Sequence, residues 1–128
     1  MIIDPIADLL TRIRNGYLAR LGSVEAPYSK MKAEILRILK KNNYIVDYSL
    51  SEDKFTFSIT LQDVRKTKYI PSFRRISRPG QRIYVKTSDI KKSRNGYGIF
   101  ILSTPSGIVT GYEAHALAVG GELLCEVY

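Results

Sequence analysis

The sequence predicts an α+β fold in two small lobes. A helix–strand–helix–strand–strand unit occupies residues 1–65, and a mostly β lobe with one short helix occupies residues 66–128. Three observations carry this. Ile6, Leu9, Leu10, Ile13 and Tyr17, and then Met31, Ile35, Ile38 and Leu39, recur at helical spacing. From residue 44 the period drops to two, and Phe55, Phe57, Ile59 and Leu61 alternate with Thr56, Ser58 and Thr60. Pro79-Gly80, Pro105-Ser106-Gly107 and Gly120-Gly121 then cut the second half into short apolar runs.

Each element has a local cause. Asp4-Pro5 opens the first helix with an acidic N-cap and a proline at the first helical position, where its missing N–H costs nothing. Residues 24–28 read as a short strand that stops before Ser29, an N-cap for the second helix. Lys40-Lys41 suit the negative end of that helix dipole, and Asn42-Asn43 closes it. Residues 44–50 and 55–61 form a hairpin around Ser51-Glu52-Asp53. The expected core packs Leu9, Ile13, Ile35 and Leu39 against Phe55, Phe57, Ile59 and Leu61. Arg78-Pro79-Gly80-Gln81 fits a type II turn, which needs a positive φ at Gly80. Residues 81–86, 98–104, 107–110 and 122–127 read as strands and residues 112–119 as a helix. Cys125 alternates with Leu123 and Val127, placing all three on one core face.

The charge is unevenly spread. With 20 Lys+Arg against 12 Asp+Glu the net charge is +8. Residues 1–62 hold 9 basic and 7 acidic side chains, residues 63–96 hold 11 and 2, and residues 97–128 hold none and 3. The middle block interleaves its cations with Tyr69, Ile70, Phe73, Ile76, Ile83 and Tyr84, so it is an ordered cationic surface. Such a surface favours a polyanion, and nucleic acid is the reading taken here over a plain solubility role. Arg74, Arg75, Arg78 and Arg82 are its candidate phosphate contacts, and an exposed Tyr84 could stack on a base or ribose.

An enzyme is disfavoured. One cysteine and one histidine exclude an intramolecular disulfide and an ordinary zinc cage, and no metal or cofactor site is expected. His115 reads as a surface or packing residue, and no phosphate-loop or dinucleotide fingerprint is present. The N-terminus lacks a signal-peptide pattern, and the longest uncharged run, residues 95–112, holds four glycines and a proline, so no membrane partner is expected. A soluble cytosolic protein with no small-molecule substrate is the expectation. A DNA-binding helix–turn–helix is disfavoured because a strand separates the two N-terminal helices.

Two segments could read RNA. Residues 102–110 place Ser103, Thr104 and Ser106 with Pro105 and Gly107 where two strands join. A hairpin turn accounts for this first; beyond it, hydroxyls at a strand tip can reach ribose, phosphate and base edges, and Gly107 would let backbone approach closely. Gly120-Gly121-Glu122 is a helix stop before a strand, or else presents Glu122 as an acceptor, where its charge must be repaid by donors.

Residues 4–16, the run Ser77-Arg78-Pro79-Gly80-Gln81-Arg82-Ile83-Tyr84, and the block Ser103, Thr104, Gly107, Thr110, Ala114, Gly120-Gly121-Glu122 resemble the bacterial small-subunit ribosomal protein eight family, in order and over nearly the whole chain. Ser29-Lys30-Met31-Lys32 matches in kind. The resemblance implies a two-domain structural constituent of the small subunit, located in the cytoplasmic ribosome. It implies primary binding to the central domain of 16S rRNA, early in assembly of the 30S platform, with the fifth and twelfth small-subunit proteins as neighbours. It places RNA contacts at Ser103, Thr104, Gly107 and Glu122 in the C-terminal lobe, and at Lys30 and Lys32 in the N-terminal lobe. Pro105, Ser106 and His115 depart from the family pattern, which usually has serine at the first and often a basic residue at the other two.

Overall fold

The computed structural model describes residues 4–128, apart from the side chain of Asn95. The chain divides into two compact units, Ile6–Pro71 and Ser72–Tyr128, the latter joined by Asp4 and Pro5. The division lies after Pro71, so the helical turn at residues 64–67 and the segment up to Pro71 belong to the first unit. The fold class is α+β, as the periodicities require.

The first unit contains α1 (Pro5–Leu18), β1 (Ser23–Pro27), α2 (Lys30–Lys41), β2 (Asp47–Leu50), β3 (Thr56–Thr60) and a single turn, α3 (Val64–Thr67). Its antiparallel sheet runs β1-β3-β2. Leu9, Ile13, Ile35, Leu39, Phe57, Ile59 and Leu61 are all buried, as the spacing predicts. A Cβ on Gly16 would collide with Val24 and with Leu61 Cδ1 at 2.8 Å, so glycine lets α1 lie close on the sheet. The Tyr17 hydroxyl donates to the Tyr44 carbonyl at 2.5 Å, and burial pushes its pKa up. Ser29 caps α2, accepting from the Lys32 amide, and Asn42 terminates it.

Two apolar positions differ from the expected pattern. Phe55 is 74% exposed, because β3 begins only at Thr56 and the left-handed Lys54 (φ 63) sends residue 55 round the hairpin turn. Met31 is also exposed, since the buried face of α2 centres on Lys32, Ile35, Leu36 and Leu39. Lys32 takes part in that face through its alkyl stem, with Nζ on the Pro27 carbonyl at 3.3 Å.

The second unit contains β4 (Phe73–Arg75), β5 (Tyr84–Val85), β6 (Ile99–Thr104), β7 (Gly107–Thr110), α4 (Gly111–Ala116) and β8 (Gly121–Val127), with 3-10 turns at Thr87–Asp89 and Ser93–Gly96. Its sheet runs β4-β8-β6-β7, and β5 also pairs with β8. The Arg78–Gln81 turn is closed by two backbone hydrogen bonds of 2.9 and 3.0 Å, but Gly80 does not take a positive φ, so it is not the expected type II turn. Proline at the second position serves a type I turn equally well. Strand β5 keeps only two of the residues expected in 81–86, because the chain rejoins β8 only after that turn.

A register shift in β8 decides where the site residues face. Ile101 pairs with Cys125 and Leu102 with Leu123, so Leu124 has no opposite partner. Consecutive residues of β6 point to opposite faces, so Leu123 leaves the face of Cys125, contrary to the alternation read from sequence. It packs instead with Leu102, Val109 and Ala114 beneath α4.

Cys125 is fully buried, and desolvation pushes its pKa up to about 12. At pH 8 it is therefore a protonated, shielded thiol. Iodoacetamide should leave it unmodified in the native protein and alkylate it in denaturant; rapid native labelling would contradict this burial.

Candidate nucleic-acid interface

The same shift that moves Leu123 brings Glu122 opposite Ser103. On its other side Glu122 pairs with Tyr84, and Ser103 pairs in turn with Ile108. Directly opposed residues of antiparallel strands share a face, so Tyr84, Glu122, Ser103 and Ile108 form one row across β5, β8, β6 and β7. Residues far apart in sequence thus meet at the end of one sheet. Farther along that face lie the buried Ile101 and Cys125; at the row the face becomes polar.

Glycine makes the row possible. A Cβ on Gly121 would overlap the Ser103 carbonyl oxygen and stand 3.1 Å from Thr104 Cα, and one on Gly120 would overlap the Val85 carbonyl. Both obstacles are backbone and cannot swing aside. The glycine pair is therefore a close-approach device between strands and not the expected helix stop, since α4 ends at Ala116 and closes through the left-handed Ala118 (φ 55).

Beyond the row, Thr104 pairs with Gly107 across the β6–β7 turn. Thr104 Oγ1 accepts from the Ser106 amide at 3.1 Å and donates to the Gly107 carbonyl at 2.8 Å. Gly107 takes φ +108, a positive φ that glycine adopts without a Cβ penalty. Pro105, Ser106 and Gly107 are exposed, and a Cβ on Gly107 would meet only open space. The turn is neutral, exposed and hydrogen-bonded within itself.

Glu122 is held from within. Its Oε2 accepts from Ser77 Oγ at 2.5 Å and from Arg82 Nη1 at 3.1 Å, while Ser77 Oγ also accepts the Ile83 amide at 3.1 Å. Arg82 offsets the carboxylate charge, and Oε1 makes no hydrogen bond among the described residues. Ser77, wholly buried, is a positioning residue that the sequence reading did not assign; its hydroxyl inside the run Ser77-Arg78-Pro79-Gly80 was the available signal. Tyr84 is 69% exposed beside Glu122, as stacking requires.

The cationic block is not uniformly free. Arg74 forks onto the buried Glu126 at 2.9 and 3.2 Å, and Glu126 also accepts from Ser93 at 2.6 Å. Arg75, its side chain 9% exposed, pairs with Asp4 at 3.0 Å and donates to the Leu124 carbonyl at 2.6 Å. Arg75 is thereby buried within its unit, whereas the Arg74 side chain, though paired, remains 61% exposed. Arg78, Lys86, Lys91 and Lys92 are exposed and make no side-chain hydrogen bond or ion pair among the described residues. In the first unit Lys30 is exposed and Lys32 is buried. His115 lies exposed on α4. Among the described residues no group of three acidic, histidine or cysteine side chains could hold a metal, and no helix is long and apolar enough to cross a membrane.

A neutral turn, a carboxylate whose charge Arg82 offsets and an exposed aromatic ring thus gather at one end of this sheet, and among the described residues they form no catalytic constellation. The family profile described as Ribosomal protein S8 matches residues 4–128, and the chain belongs to that family. It is 46% identical to small ribosomal subunit protein uS8 of Desulfovibrio desulfuricans over the full length of both chains. It is 48% identical to the protein of the same name from Roseiflexus castenholzii, covering 98% of this chain and 97% of that one. The Wolbachia pipientis wMel protein of that name is 46% identical, again over 98% and 97%. The chain is thus a structural, non-enzymatic protein of the small ribosomal subunit, located in the cytoplasmic ribosome, as the sequence resemblance implies.

Proposed function

We propose that the chain is a primary 16S rRNA-binding protein that grips the central domain and helps assemble the 30S platform, next to the fifth and twelfth small-subunit proteins. The observation that carries the reading is the row Tyr84–Glu122–Ser103 with the Thr104–Gly107 turn beside it. The major groove of A-form RNA is too narrow for side chains, so such a surface reads the shallow minor groove, ribose hydroxyls and unstacked bases. Ser103, Thr104 and Ser106 supply small hydroxyls, the Gly107 backbone approaches closely, Glu122 Oε1 accepts from base or ribose donors, and Tyr84 stacks. Arg78 and Arg82 take phosphates at the edge of the row, and Lys30 and Lys32 add contacts from the first unit, Lys32 by swinging its ammonium off the Pro27 carbonyl.

Specificity and affinity then separate. Ser103→Ala with Thr104→Val weakens cognate rRNA by roughly 1–3 kcal/mol, through donors and acceptors left unpaired in the bound RNA. Being neutral, the hydroxyls release no counterions, so the slope of log K against log salt stays at the parental value. Arg78→Gln with Lys86→Gln, by contrast, weakens cognate and scrambled stems alike and lowers that slope by about 0.7–0.9 per lost phosphate contact. Salt titrations of both variants against both stems test this; a hydroxyl variant that loses the two stems equally overturns it. Glu122→Gln keeps an acceptor and costs little binding, whereas Glu122→Ala costs more in the same assay. Equal binding by the two variants would remove Glu122 from the interface.

A further inference from the structure

Arg20, Val64, Arg65, Lys68 and Ile70 line one open depression in the first unit, and none of the residues proposed to bind rRNA is among them. We infer that this depression is a second, separate binding surface for RNA backbone, in which Arg20, Arg65 and Lys68 take phosphates and Lys66, beside them on α3, strengthens the field. The inference rests on the RNA-binding reading and adds a second grip to it.

Three observations converge. The first is the lack of partners. Arg12, Arg37, Arg74, Arg75 and Arg82 are each in an ion pair, and Arg94 lies 3.9 Å from the ring centre of Tyr128. Arg20, Arg65, Lys66 and Lys68 are exposed and have no side-chain hydrogen bond or ion pair among the described residues. Asp63, which lines the adjoining hollow with Arg20 and Arg65, turns its carboxylate to the Arg65 amide at 3.0 Å, where it caps α3.

The second is the backbone. Arg20 takes φ 57 where α1 closes, with its amide on the Tyr17 carbonyl and the Leu21 amide on the Gly16 carbonyl. Lys68 takes φ 56 where α3 closes, with its amide on Val64. Helix closures of this kind normally use glycine, because a Cβ is strained there. Here both carry long cations. The dipole of the 14-residue α1 favours Arg20 in part, but one turn of helix offers Lys68 almost nothing.

The third is the shape. An open hollow with cations around an apolar floor of Val64 and Ile70 suits a phosphate backbone with riboses laid against the floor. Two guanidinium forks match phosphate oxygens in pairs. An RNA segment is favoured over an acidic protein segment because the four cations are unpaired and the one nearby carboxylate, Asp63, is held on the Arg65 amide, with no built acceptor to specify a peptide.

The left-handed backbone supplies a clean test. Arg20→Gly and Lys68→Gly remove the cations while relieving strain, and Arg65→Gln removes the third from an exposed site. The full-length triple variant should melt near the parental temperature. Against a 16S rRNA transcript, its log–log salt slope should fall by about 2–3 for three lost contacts. Discrimination between cognate and scrambled stems should remain. A variant with Arg65→Gln and Lys66→Gln, confined to exposed side chains, should show a smaller fall of about 0.7–0.9 for its one lost contact and guards against misfolding of the triple variant. A parental slope in both variants overturns the inference, including the case in which they bind RNA normally but fail to enter reconstituted subunits, which would assign the depression to a protein. Loss of discrimination by Ser103→Ala with Thr104→Val in the same series keeps the RNA-binding reading alive whatever the depression does; failure of the parent to bind the transcript overturns both.

Discussion

Replacing Phe57 by alanine should destabilise the protein by about 3–5 kcal/mol, among the largest effects of any single truncation here. Phe57 is 2% exposed in β3, the middle strand of the first sheet, so the cavity cannot be filled from solvent. Its ring centre lies 5.3 Å from that of Tyr28 and 6.2 Å from that of Tyr48, and truncation forfeits both aromatic contacts along with the buried area. Phe55, two residues earlier and exposed, should lose only about 0.5 kcal/mol or less on the same substitution. Denaturant titrations of the two variants measure the difference directly. Similar losses would mean that the alternation, and not the observed turn, describes this strand.

Gly121→Ala should damage both stability and RNA binding. The added methyl overlaps the Ser103 carbonyl oxygen, and Thr104 Cα at 3.1 Å blocks retreat. Strands β6 and β8 must separate at the Ser103–Glu122 pair, the centre of the proposed interface. Overpacking of this kind costs about 1–3 kcal/mol, at times more when the obstacle is backbone. Thermal melting with cognate RNA titration on the fraction that remains folded checks it. A variant with parental binding would show that the pairing of Ser103 with Glu122 is dispensable.

Local chemistry made much of the fold readable. Ser29 and Asn42-Asn43 bracket α2, the period-two run marks β3, and Pro105-Ser106-Gly107 marks the β6–β7 turn, because each signal acts within a few residues. What escaped depends on partners distant in sequence. Nothing near Leu124 announces the shift that moves Leu123 off the face of Cys125 and sets Glu122 beside Ser103. Arg74 and Arg75 read as free cations because Glu126 and Asp4, which engage them, lie near opposite ends of the chain. Gly80 could serve two turn types, and sequence alone did not choose between them. For the site, the residue types were visible as hydroxyls, glycines and one carboxylate, but their assembly into a row follows only from register. Ser77, whose hydroxyl aims Glu122, went unassigned for the same reason.

Photo-crosslinking of the full-length protein to 16S rRNA, followed by identification of the joined peptides and nucleotides, tests the central claim most directly. Crosslinks should concentrate on peptides containing Tyr84, residues 103–107 and Glu122, and on one region of the central domain, and Ser103→Ala with Thr104→Val should reduce them. Crosslinks confined to other peptides, with Tyr84, residues 103–107 and Glu122 silent, would contradict the account.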